Sequence, residues 1–81
     1  MPYTRVMKQY IYCFEKEGDD LIKIIELPKL ELSIMQELFN IKPENPMYDS
    51  YPIGPKEIFF FKPMVDKDFD FSEFSCFYEQ N

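Results

Sequence analysis

Histidine is absent from this chain of 81 residues, glycine occurs twice and cysteine twice. Without imidazole the chain lacks both the commonest general base and the commonest metal ligand, and a cysteine nucleophile would lack its usual activating partner. Gly18 and Gly54 are the only glycines, too few for a phosphate-cradling loop. Cys13 and Cys76 show neither a C-x-x-C pair nor a metal-ligand spacing. They read as buried thiols kept reduced in the cytosol, with a single long-range disulfide as the alternative. No run approaches the ~20 apolar residues of a membrane span, and the opening "MPYTRVMKQYIY" lacks the charged, apolar, small-residue succession of a signal peptide. The expectation is a cytoplasmic protein without membrane contact. Positive charge is scarce too: nine basic residues face fifteen acidic ones, for a net charge of −6. That balance argues against binding nucleic acid, whose phosphates need Lys and Arg, and for a basic partner. The plainer alternative is that the charge only keeps a small protein in solution.

Aromatic residues, in contrast, make up 19% of the chain, enough large apolar area for a single domain over residues 1–81 without a disulfide framework. From Arg5 to Glu15 the sequence is rich in β-branched and aromatic residues on both parities, which predicts a strand covered on much of both faces. "KEGDD" follows as a turn, then "LIKIIELP" as a second strand closed by Pro28, so the two form a hairpin. In "KLELSIMQELFN" the period changes. Leu32, Met35, Leu38 and Phe39 form a helical stripe, with Glu31 as N-cap, Leu30 placed to staple onto Met35, and Asn40 as a left-handed stop before Pro43.

The segment "IKPENPMYDSYPIGP" holds four prolines, which predicts a stiff loop without regular structure. Pro55 suits the first turn of a short buried helix over "PKEIFFFK", ended or kinked by Pro63. The last run, "DKDFDFSEFSCFYEQ", alternates and then slips phase between Ser72 and Phe74, which predicts a final strand with a bulge. The expected fold is α+β, with a three-stranded antiparallel sheet in the order β, β, α, α, β and two short helices.

Asp66, Asp68 and Asp70 have the spacing that opens a calcium loop. Phe71 stands where such a loop needs glycine, and Phe77 where it needs a bidentate glutamate. On a strand these carboxylates would form an acidic stripe on one face instead. Paired carboxylates could serve a glycosidase, but 81 residues scarcely enclose the required cleft. Neither a cofactor nor a catalytic residue is expected. Two acidic surfaces remain, one at the hairpin turn with Glu17, Asp19 and Asp20, the other along the last run with Asp66, Asp68, Asp70 and Glu73. Tyr48 and Tyr51 are candidate anchors, since tyrosine buries a rigid ring while keeping one polar tip. The alternative for these two is packing over the second helix.

The succession "FEKEGDDLIKIIELP", a short helix ending in "LFN", "PMYDSYPIGPKE" and a closing "FDFSEFSCFYE" resembles a family of short acidic bacterial proteins found beside polymorphic toxin genes. These are immunity proteins against contact-dependent or secreted toxins. The resemblance covers Tyr10 to Glu79 and is most specific at "MYDSYPI", residues 47–53. The chain departs from the family pattern after Ile53, where Gly54, Pro55 and Pro63 stand in place of a longer amphipathic helix. The resemblance implies a role, protection by binding a cognate toxin, and brings no catalytic residues; with the negative charge, the expected target is a basic nuclease domain whose active site or substrate groove is blocked, the protein being a monomer when toxin-bound. Two other readings stand beside it: a phage-encoded inhibitor or nucleic-acid mimic directed at a host enzyme, and a small metal-binding domain.

Overall fold

A computed structural model describes residues 8–80. The chain runs through β1 (Gln9–Glu15), β2 (Leu21–Glu26), helix α1 (Leu32–Leu38), the two-residue strand β3 (Tyr51–Pro52), helix α2 (Pro55–Phe61) and β4 (Phe74–Gln80). Short 3-10 turns occupy Lys62–Met64 and Phe71–Glu73. The fold is α+β as expected, but the antiparallel sheet has four strands, in the order β2-β1-β4-β3. The expected start of the first strand at Arg5 lies outside the described residues.

The hairpin forms as its turn chemistry predicts, with Tyr10 opposite Glu26 and Phe14 opposite Leu21, the register slipping between Cys13 and Phe14. β1 is central and pairs along its whole length with β4, from Gln9 opposite Gln80 to Glu15 opposite Phe74. One face of the sheet carries Ile11, Cys13, Cys76 and Tyr78. These pack with Leu27, Met35, Met47, Phe61 and Phe71 into the core. Tyr78 is fully buried and forms a three-ring cluster with Phe39 at 5.4 Å and Phe61 at 5.9 Å, which also touch each other at 6.2 Å. Both helices therefore cover the same side of the sheet.

The helix caps follow the sequence closely. Glu31 is the N-cap of α1 and makes no side-chain cap bond, and Leu30 is half-buried against the cluster that contains Met35. Asn40 adopts the left-handed conformation at φ 57°. Pro55 occupies the first turn of α2, where its missing N–H leaves no bond unmade. The Glu57 carboxylate reaches back to accept from the Gly54 N–H at 2.8 Å. Pro63 converts the end of this helix into a 3-10 turn.

Three expectations are corrected. Within the proline-rich loop, Tyr51 and Pro52 pair with Tyr78 and Phe77. Regular structure survives there because pairing through the Tyr51 backbone leaves proline's missing donor facing away from the ladder. Of the α1 stripe, Leu32 is exposed while Gln36 is buried beside Met35. Its amide donates to the Pro43 carbonyl at 3.0 Å and the Asn45 carbonyl at 2.7 Å, which satisfies a buried polar group and ties the loop to the helix. In "IFFF" only Phe61 is buried, Phe60 is partly covered, and Phe59 remains 83% exposed, so α2 lies half in solvent.

Two more glutamines do similar work. Gln9, buried at the start of β1, accepts from the Leu30 N–H and donates to the Leu30 carbonyl, both at 2.8 Å, and also donates to the Tyr78 hydroxyl at 3.2 Å. Gln80 donates to the carbonyls of Pro46 and Met47 at 2.7 and 2.9 Å. Prolines remove donors from the loop backbone, and side-chain amides supply them.

Candidate functional site

The pairing of β1 with β4 decides where the charges go. Glu15, the last residue of β1, stands opposite Phe74, the first of β4, so the hairpin turn after β1 and the loop before β4 meet at one end of the sheet. The Glu15 N–H donates to the Asp20 carbonyl at 3.0 Å and closes the turn. Lys16 of that turn is near enough to Asp70 to hold its carboxyl low, a smaller influence than the hydrogen bonds from Ser72. Glu15, Glu17, Asp19, Asp20, Asp66, Asp68, Asp70 and Glu73 are all exposed at this end. They outnumber the lysines interspersed there, Lys16, Lys23, Lys62 and Lys67. Two acidic clusters some fifty residues apart in sequence thus come to one end of the sheet.

The predicted strand over Asp66–Glu73 is a correction: β4 begins only at Phe74. Its alternating aspartates therefore form no stripe on a strand face. Asp70 instead accepts from the Ser72 N–H at 2.9 Å and the Ser72 hydroxyl at 2.6 Å, capping the 3-10 turn, which is where the sequence slips phase. The local Asp-x-Ser bond competes with the sheet ladder and wins. Asp66, Asp68, Asp70 and Glu73 nevertheless come together, around a recess of about 230 Å³. Its floor is the Phe69–Phe74 stack, with ring centroids 5.4 Å apart, and Lys23 lies over Phe69 at 5.4 Å. A larger neighbouring recess of about 420 Å³ shares Asp68, Phe69 and Asp70. Among the described residues no three acidic or cysteine side chains converge as a metal cage.

Tyr48 and Tyr51 lie elsewhere. Ser50 donates to Glu79 at 3.0 Å and Gln80 holds Pro46 and Met47, so their loop is tied to the opposite end of β4. Tyr48 is 70% exposed there. Tyr51 is half-buried, its ring 5.8 Å from Phe39, so it packs at the end of α1. Its hydroxyl is buried without a hydrogen-bond partner. An unsatisfied buried hydroxyl costs about 1–3 kcal/mol, so Tyr51→Phe is expected to stabilise the fold by about 1 kcal/mol. Denaturant titration reads this directly, and a loss of stability would show that the hydroxyl has a partner.

The second face of the sheet is aromatic and half-buried. Tyr10, Tyr12 and Phe14 alternate with the buried Gln9, Ile11 and Cys13, and their cross-strand neighbours include Ile24 and Phe77. Phe14 meets Phe77 edge to face at 5.8 Å, as Tyr10 meets Tyr12 at 6.1 Å. None of these residues belongs to the core or packs against it, and Ile24 is 50% exposed. No described helix covers this face. The sequence signal was the aromatic alternation itself, which implies two apolar faces without saying that both are covered. At the acidic end this face runs into a recess of about 280 Å³ lined by Phe14, Phe77, Glu15 and Asp19.

A four-stranded antiparallel sheet with two helices on one side, an acidic end and a half-buried aromatic second face defines a small α+β domain. The chain belongs to the family described as a domain of unknown function, DUF7683, whose model matches residues 8–79. No curated protein and no solved structure matches it. Among the described residues no helix is long and apolar enough to cross a membrane.

Proposed function

We propose that this domain is a cytoplasmic immunity protein, which neutralises a toxin by binding it through the acidic end of the sheet and the adjoining open face. The observation that carries the reading is the convergence of the turn and loop carboxylates around recesses floored by phenylalanine rings. Such a surface fits the phosphate-binding cleft of a basic nuclease domain. Aromatic area supplies contact energy while the carboxylates steer association and fix register. Phe69, Phe74, Phe14 and Phe77 thus join the acidic residues as contacts, whereas Tyr48, at the far end, falls outside this footprint.

Co-expression with the toxin module encoded by the adjacent gene tests the reading. The two proteins are expected to copurify and the cells to survive. Combined replacement of Asp66, Asp68 and Asp70 by Asn and Glu73 by Gln should slow association roughly 10-fold or more at low salt and flatten its salt dependence, with the fold intact. Asn keeps an oxygen for the Ser72 bonds. Survival and binding kinetics unchanged by this variant would remove the acidic end from the interface.

A further inference from the structure

Cys13 and Cys76 are 63 residues apart in sequence, yet they stand directly opposite each other on the two central strands, with their sulfurs 3.7 Å apart. Both thiols are free, and both residues are buried. Directly opposed residues of antiparallel strands have Cα atoms about 4.5–5.5 Å apart, inside the range a disulfide accepts. Closing the bond means bringing the sulfurs to about 2.05 Å, a movement within reach of side-chain rotation. Lys23 is the other cross-strand neighbour of Cys13, and its ammonium, after the hydrogen bond from the Cys76 thiol, favours the Cys13 thiolate. Burial and the same hydrogen bond push the Cys76 thiol up.

We propose that Cys13 and Cys76 form a specific internal disulfide when a low-molecular-weight disulfide oxidant is present, and that they do so while the chain folds rather than after it has folded; in a reducing cytosol the pair stays as thiols. The thiolate of one of the two cysteines attacks one sulfur of the oxidant, breaking its S–S bond and releasing one thiolate. The other, losing its proton, then attacks the protein sulfur of the mixed disulfide and releases the second. Two protein thiols become one disulfide, and the oxidant carries away two electrons and two protons as two thiols. Access sets the timing. Cys13 has no exposed surface and Cys76 is 6% exposed, and both lie in the pairing of β1 with β4. An oxidant the size of glutathione reaches them only when these strands separate, the opening that lies nearest to global unfolding.

The probe is oxidised glutathione, applied in parallel to the native chain and to chain refolding from denaturant. After acid quench and alkylation, refolded protein is expected to yield the Cys13–Cys76 cross-link by peptide mapping as its main product. The native sample should keep two free thiols over the same interval. The oxidised monomer should melt roughly 10 °C or more above the reduced one, since the cross-link closes a long loop in the unfolded chain. Cys13→Ser and Cys76→Ser should each give no internal bond, and if either fails to fold, the wild-type map decides alone. Glutathione adducts, intermolecular dimers or free thiols as the main refolded species would overturn the proposal. So would a lowered melting point on oxidation, or oxidation of the native chain as fast as of the refolding one.

Discussion

Tyr78→Ala is expected to cost about 3–5 kcal/mol of folding free energy, the range for truncating a fully buried aromatic ring. A domain of this size has only about 4–12 kcal/mol in total, so the variant should be largely unfolded or close to it at 37 °C. Tyr78 is fully buried, packs against both Phe39 and Phe61, and lies opposite Ile11 on one side and Tyr51 on the other. No neighbouring element can collapse into the space without breaking sheet pairing. Tyr78→Phe separates ring from hydroxyl. It removes one acceptor of the Gln9 amide, which still holds Leu30, so the loss should stay near 1 kcal/mol.

The same substitution carries a pH signature. Burial pushes the Tyr78 phenol up, with the Gln9 bond pulling partly the other way. The folded state therefore keeps a proton that the unfolded chain releases near pH 10. This contribution is fully present below that pH and is lost as pH rises toward the raised folded value. Wild type should lose more stability than Tyr78→Phe above pH ~10, measured by denaturant titration across the alkaline range. Parallel curves for the two proteins would show that Tyr78 ionises as freely in the fold as outside it.

The second large effect concerns Met47. It has φ 58°, in the left-handed region, yet is fully buried. A side chain with a Cβ pays about 1–2 kcal/mol for that conformation. The Met47 N–H donates to the Asn45 side chain at 2.8 Å, and its carbonyl accepts from Gln80. Burial of the thioether side chain outweighs the strain. Met47→Ala should lose about 2–5 kcal/mol, because it keeps the strain and forfeits the packing. Met47→Gly forfeits the same packing but relieves the strain, so it should be the milder change by about 1 kcal/mol. In ordinary backbone the order is reversed. Finding alanine milder than glycine here would mean that Met47 is not left-handed in solution.

Met47 also shows why some of the fold escaped a reading of the residues. Nothing in "NPMYD" marks methionine for a positive φ; Asn40, with the side chain that tolerates it, was legible as a helix stop. The hairpin was equally legible, since Gly18 and its acidic neighbours punctuate two apolar runs. The start of α2 at Pro55 follows from proline's geometry alone. The buried roles of Gln9 and Gln36 were hidden because polar residues declare themselves buried only through their partners, Leu30, Pro43 and Asn45, and those partners are set by chain paths rather than by local pattern. Asp66–Glu73 was read as strand because aspartate and phenylalanine alternate there. The Asp70–Ser72 bond diverts that segment into a turn, a local competition that periodicity does not register.

For the candidate site the division is similar. Each carboxylate of the acidic end was identifiable as exposed charge, but the sequence presents them as two unrelated surfaces. The proposed immunity role rests on the resemblance together with that charge.

What the sequence determined by itself is whatever depends on near neighbours along the chain: the hairpin, the helix caps, the proline-stiffened loop and the negative balance of charge. What only the tertiary structure decided is which distant segments share a surface. The register of β1 on β4 brings Glu15 to Phe74, Cys13 to Cys76 and Tyr12 to Phe77, creating the acidic end, the opposed thiols and the open aromatic face together. A strand pairs through backbone groups that every residue except proline possesses, so register is chosen by the summed burial of side chains across the whole sheet. No short stretch of sequence contains that sum.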